Sequence, residues 1–108
     1  MTLDEFKQCD LRVAKVVAAD RVDGSEKLLR LRLDLGADGE RQVLSGIARS
    51  YAPDEIAGKL VVIIANLEPR TMMGLESQGM LLAAAGADGR PVILAPAGDD
   101  VPPGTRIT

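Results

Sequence analysis

The most regular pattern in the chain is an alternation. Leu29, Leu31, Leu33 and Leu35 are apolar, with Arg30, Arg32 and Asp34 between them. Successive side chains of a strand point to opposite faces, so this spacing predicts a strand with one face in a core and the other in water. Upstream, Leu11 to Val22 reads as a longer strand whose phase slips through Ala14-Lys15-Val16-Val17. Such a slip predicts a bulge, the device that bends a long strand around a barrel. Asp23-Gly24-Ser25 supplies a turn between the two strands. Gly36-Ala37-Asp38-Gly39 then supplies hairpin chemistry, and Glu40 to Ile47 returns as a third strand. The same tetrad recurs at Gly86-Ala87-Asp88-Gly89, and it reads as a second hairpin with the same turn requirements rather than an internal repeat.

Short helices punctuate this pattern. Thr2 can cap residues 2–8 while Glu5 reaches back, placing Leu3 and Phe6 on one face for docking on the body or on a second copy. Cys9 beside them reads as a small buried apolar residue. After the third strand, Pro53 suits a first helical position, Asp54 and Glu55 complement the dipole, and Gly58 can end the helix. Leu60 to about Ala65 is a fourth strand and Met80 to about Ala85 a fifth, with Val92 to Ala95 pairing back as a short addition. Pro96 to Thr108 reads as a loop ordered by docking and ending in a short extended piece. Three strands, a helix and two more strands is the order of an OB-fold, a five-stranded Greek-key barrel, in an all-β class. An SH3-like barrel fits the same pattern.

Composition narrows the function. A chain of 108 residues is one domain, long enough to bury a core without disulfide or metal. The single cysteine allows no intrachain disulfide, which suggests a reducing compartment, and the expected location is the cytoplasm. No apolar run approaches membrane-spanning length, and no leader opens the chain. With no histidine, the usual neutral-pH base and the commonest metal ligand are both missing. No Walker loop, cysteine cluster or nucleophile elbow is present, so the residues point to no enzyme and call for no cofactor or metal. Net charge is −3, against a uniformly basic nucleic-acid binder, yet eleven of the thirteen Lys and Arg lie in residues 1–70. They must gather on one face to act together. Phe6 and Tyr51 are the only aromatics, so bases stacking on an aromatic platform is disfavoured, and with it a single-stranded DNA binder.

One stretch escapes both periodicities. Asn66 to Met80, between two apolar runs, holds Pro69, Arg70, two glycines and many hydrogen-bonding groups. Connections of this kind carry function on small β-domains.

Asp10-Leu11-Arg12-Val13, Gly24-Ser25-Glu26-Lys27-Leu28-Leu29 and Leu44-Ser45-Gly46-Ile47 resemble blocks of a known family. So do Asn66-Leu67-Glu68-Pro69-Arg70 and Gly74-Leu75-Glu76-Ser77-Gln78-Gly79-Met80. The family is the tRNA-binding domain attached to many bacterial methionyl-tRNA synthetases, with free-standing relatives and a CsaA-type export chaperone branch. The likeness runs from about residue 5 to residue 107, and Ser45-Gly46-Ile47 and Ser77-Gln78-Gly79-Met80 look like the synthetase type. It implies a non-catalytic domain, commonly dimeric, that grips tRNA by shape and backbone with little sequence discrimination. The implied partners are tRNA, a second copy and a synthetase catalytic domain, with no membrane; the chaperone branch offers binding of unfolded polypeptide as the alternative. Carried over by position, it points to the surface around Lys27, Asn66, Arg70, Ser77 and Met80, with Arg30 and Arg32 extending the basic surface. Lys27 and Arg70 suit phosphates, Arg70 in a forked geometry; a solvated charge is an equal reading of Lys27, and Arg70 is the one position where the phosphate reading is favoured. Asn66 and Ser77 can meet sugar or phosphate, or else the loop's own backbone, and the latter is favoured. Met72, Met73 and Met80 are expected to pack under the loop, and a solvated face is the plain reading of Arg30 and Arg32. Glu68, Thr71 and Glu76 stand where relatives often carry basic or neutral residues, which predicts weak, salt-sensitive binding.

Overall fold

The structure, a computed structural model describing residues 1–108, follows from these patterns. Strand β1 (Leu11–Arg21) is the hub. Its first half pairs antiparallel with β4 (Leu60–Ile64), and its second half with β2 (Leu29–Asp34). The register shifts between Val16 and Ala18, where the slip was expected, so one strand serves two neighbours by bending. Strand β3 (Glu40–Ser45) pairs with β2 after a 3₁₀ turn at Gly36–Asp38, and β7 (Met80–Leu81) pairs with β4. The sheet order β3-β2-β1-β4-β7 is a nearly closed five-stranded barrel, consistent with an OB-like fold. Leu29, Leu31, Leu33 and Leu35 are all buried inside it with Val16, Val43, Val61 and Ile63.

Helix α1 (Leu3–Phe6) carries the capping box, with the Glu5 amide donating to Thr2 Oγ1 at 3.2 Å. Helix α2 (Pro53–Ile56) starts at the proline and buries Ile56, and Gly58 at φ 85° lets the chain turn out of it. The tail docks along β1. Val13 N–H donates to Thr105 O, and Gly104 and Ile107 donate to Val13 and Leu11 carbonyls. Arg12 holds this junction by reaching Asp10 and Asp38, each at 2.7 Å, and the Gly104 carbonyl. The hydrogen bond from Arg12 holds the Asp10 carboxyl below the ordinary carboxylate range, and the same contact raises Arg12.

Two expectations need correction. Cys9 is exposed, not buried. Helix α1 is a single turn with Phe6 half-buried, and it is Leu3 that does not dock: 67% exposed, it lines an open apolar groove with Cys9 and Ile107. The fifth strand is also not continuous from Met80 to Ala85. After Leu81 the chain passes Leu82 and forms a separate hairpin of β8 (Ala83–Ala85) with β9 (Pro91–Ile93). The break comes at Val62, where Leu94 of the returning arm takes the next hydrogen-bonding place on β4. Val62 uses its carbonyl on Leu82 N–H and its N–H on Leu94 O, so both arms of the hairpin join the barrel there and then leave it.

Candidate nucleic-acid interface

The irregular stretch is a hairpin of its own. Strands β5 (Arg70–Met72) and β6 (Leu75–Ser77) pair Arg70 with Ser77, Thr71 with Glu76 and Met72 with Leu75. Three-residue strands are too short to show a period, which is why the sequence reading saw none. Met73 and Gly74 form the turn, with φ of 51° and 77°, the sign pattern of a type I′ turn. Met73 is the sole non-glycine residue with positive φ. That conformation costs an ordinary side chain roughly 1–2 kcal/mol.

A small satellite core fastens the hairpin to the barrel. Val22, Leu28 and Leu44 are buried beneath it, with Met72 and Leu75 packed against them. Val22 and Leu28 bracket the β1–β2 turn, Leu44 lies on β3, and Met72 and Leu75 come from the hairpin. Two loops at one end of the barrel therefore share a single apolar anchor. The Met73 methyl lies over Gly24, so close that a Cβ there would sit 3.1 Å from it.

Ser77 closes the barrel. Its side chain is 1% exposed, accepts from Leu44 N–H at 3.0 Å and donates to Gly79 O at 3.1 Å. Gln42 and Gln78 exchange bonds beside it, and Gln42 Nε2 donates to Glu76 O at 2.8 Å. These contacts bridge β3 to the chain entering β7, where no ladder forms, and the guanidinium of Arg41 on Ala65 O ties β3 to the end of β4. Asn66 is a clasp as well. Its side chain accepts from Asp10 N–H at 3.0 Å and donates to Gln8 O at 2.7 Å, binding the hairpin's root to the start of β1. Both residues serve the loop's own shape, as favoured above.

Lys27 is exposed beside buried Leu28, with its backbone fixed by Ala48 N–H on its carbonyl. Arg70 is exposed at the hairpin's base. Neither enters any of the seven ion pairs of the chain. Arg30 and Arg32 stand on the outer face of β2, facing Asp20 at 3.6 Å and Glu40 at 3.3 Å. Pairs this exposed are worth little and can be exchanged for phosphate. Met80 points outward from β7 opposite Ile64, outside the satellite core. Met72 packs under the hairpin as expected; Met73 does not, and is 54% exposed.

The fold thus brings Lys27, Arg70 and Arg30 to adjoining elements and uses Ser77 and Asn66 as fasteners. It adds Arg21, which the sequence reading passed over. Arg21 ends β1, is exposed and enters no ion pair, and it lines a cleft of about 310 Å³ with Asp23, Arg30, Met73 and Leu75. No local signal marks it, because its place depends on the long-range contact between the β1–β2 turn and the hairpin. Carboxylates are interspersed: Asp23, Glu68 and Glu76 are exposed, and Glu26 faces Arg49 at 3.7 Å. Charge around the two loops is therefore mixed, with Lys27, Arg70 and Arg21 unpaired among these carboxylates.

The family model described as "Putative tRNA binding domain" matches residues 11–106. The chain belongs to this tRNA-binding domain family. Its members include stretches of methionine–tRNA ligases: that of Thermotoga maritima is 47% identical over all 108 residues, and that of Chlorobaculum tepidum 52% over 101 residues, or 94% of the chain. The chain spans only 17% and 14% of those two relatives. Among solved structures, a MetRS-related protein from Pyrococcus horikoshii superposes with a TM-score of 0.92 at 34% identity, covering 100% of this chain and 97% of that one. The chaperone CsaA of Bacillus anthracis gives 0.89 at 28% identity, with 100% and 98% covered. The chain has no helix long and apolar enough to cross a membrane.

Proposed function

We propose that this domain grips tRNA through the backbone, without sequence preference, as a non-catalytic auxiliary of methionyl-tRNA synthetase. Aminoacylation is left to a separate catalytic domain. The observation carrying this reading is that Lys27 and Arg70, both unpaired, arise from two loops fastened by one satellite core. Arg21 and Arg30 border the cleft between those loops, and Arg32 continues the surface along β2. A spacing fixed by packing lets separate cations meet successive phosphates without ordering two mobile loops. The interspersed carboxylates hold affinity down, and association with the enzyme compensates by raising local concentration. Ser77 and Asn66 support the loop, and Met80 lies at its margin.

Dimerisation is the second part of the proposal. Its support is exposed apolar surface: Ala83–Ala85 and Val92 on the β8–β9 hairpin, Leu94 just after it, and Leu3 lining the α1 groove. The site works in the cytoplasm, beside the synthetase.

Titration with tRNA and with an unfolded polypeptide at two salt concentrations tests the function, and gel filtration of the same samples reads the dimer. Binding of tRNA is expected to weaken by about tenfold or more for a fourfold rise in salt, from two to three phosphate contacts. Tighter, salt-insensitive binding of unfolded chain would favour the chaperone branch instead.

A further inference from the structure

Met73 combines two features that neither packing nor turn preference explains. Two-residue turns with positive φ at both positions favour Asn or Gly at the first, because an ordinary side chain is strained there. Methionine occupies that place at φ 51°, and its side chain is 54% exposed. Strain kept at a loop tip that stays more than half exposed, with only its methyl over Gly24 in return, is a mark of functional positions. Beneath the tip lies the cleft of Arg21, Val22, Asp23, Arg30 and Leu75. Arg21 is free of ion pairs, and Arg30 is held only by an exposed contact with Asp20 at 3.6 Å.

We propose that the hairpin tip is a nucleotide-contact element, in which the Met73 side chain packs on the apolar face of one nucleoside of bound RNA while Arg21 and Arg30 take the adjoining phosphate. The proposal rests on the tRNA-binding reading above. A thioether suits this task where aromatics are scarce, being flexible, polarizable and indifferent to which base it meets. The Met73 methyl over Gly24 seats the side chain at the cleft's rim, and glycine leaves the room for it. Asp23 repels a phosphate that sits too far toward the β1–β2 turn, so the anion is steered toward the two arginines. The contact adds grip without base discrimination, in keeping with a domain that reads RNA shape.

The test separates a turn role from a binding role. Asn and Gly both accept the left-handed conformation, so Met73→Asn and Met73→Gly remove the thioether while the hairpin keeps its turn. Both variants are expected to melt at or above the wild-type temperature and to bind tRNA about three- to tenfold more weakly. The slope of log affinity against log salt should not change, since no cation is lost. Arg21→Gln should instead flatten that slope by about one. Wild-type affinity in both Met73 variants, with Arg70→Ala still weakening binding, would overturn this inference and leave the proposed function standing. Loss of melting temperature in parallel with affinity in both variants would also overturn it, by assigning Met73 to the turn. A wild-type protein that binds no tRNA would remove both.

Discussion

Gly79→Ala is expected to destabilise the domain by about 3 kcal/mol or more. Gly79 is buried at φ 133°, outside the range of any L side chain, where the chain turns from the hairpin into β7. An added Cβ would stand 2.8 Å from the Ile64 carbonyl oxygen, which is fixed in the β4 ladder and cannot step aside. Relief requires Met80 and Leu81 to leave β4, or the Ser77–Gly79 link to open. Either releases the root of the loop that carries Arg70. For a chain of this size the loss corresponds to a fall in melting temperature of roughly 12–24 °C. Thermal melts followed by circular dichroism check it, and a shift below about 3 °C would mean that the crossing is looser than the geometry shows.

Ser77→Ala ranks next, at about 1–3 kcal/mol. The methyl fits where the hydroxyl was, so packing is kept. What is lost is the acceptor for Leu44 N–H and the donor for Gly79 O, both enclosed at the barrel seam. Unpaired polar groups in such a place cost more than the hydrogen bonds were worth. The melting temperature should therefore fall by several degrees, with exchange of the Leu44 amide accelerated more than that of Leu31 in the barrel centre. Affinity for tRNA, measured well below the melting point, should change less than twofold. Normal stability with clearly weakened tRNA binding would mean instead that this hydroxyl reaches the RNA.

The two effects show which parts of the structure the sequence could reveal. Strict alternation at Leu29–Leu35 marks its own inward face, and the slip at Ala14–Val17 marks a bend, because both are consequences of the two-residue strand period. Turn and cap chemistry at Thr2, Gly36–Gly39 and Pro53 is equally local. The barrel seam is not. Ser77 meets Leu44 at a sequence separation of 33, and nothing local to Ser77 distinguishes a seam hydroxyl from one on a surface loop. The β5–β6 hairpin escaped detection because its strands are short and its turn uses Met-Gly where Asn-Gly is the usual signal. The general burial of cysteine points Cys9 inward, while its actual exposure depends on how little of a one-turn helix reaches the body.

The candidate site divides in the same way. Lys27, Arg70, Asn66 and Ser77 were named from residue blocks, yet only coordinates show that the first two project free while the other two are spent on backbone. Arg30 and Arg32 follow from alternation, but their partners Asp20 and Glu40 come from neighbouring strands and appear only once the register is known. Arg21 needed the contact between the β1–β2 turn and the hairpin. The mixed charge of the face is a consequence of that register, and it makes the placement of a few free cations matter more than the net charge of −3.

The measurement that bears most directly on that placement is tRNA affinity as a function of salt for the wild type and for Arg70→Ala. The wild type should give a straight fall of log affinity with log salt, and Arg70→Ala should lie below it with a slope shallower by about one, the signature of a single lost phosphate contact. Two coincident lines would contradict the account and take Arg70 out of the interface.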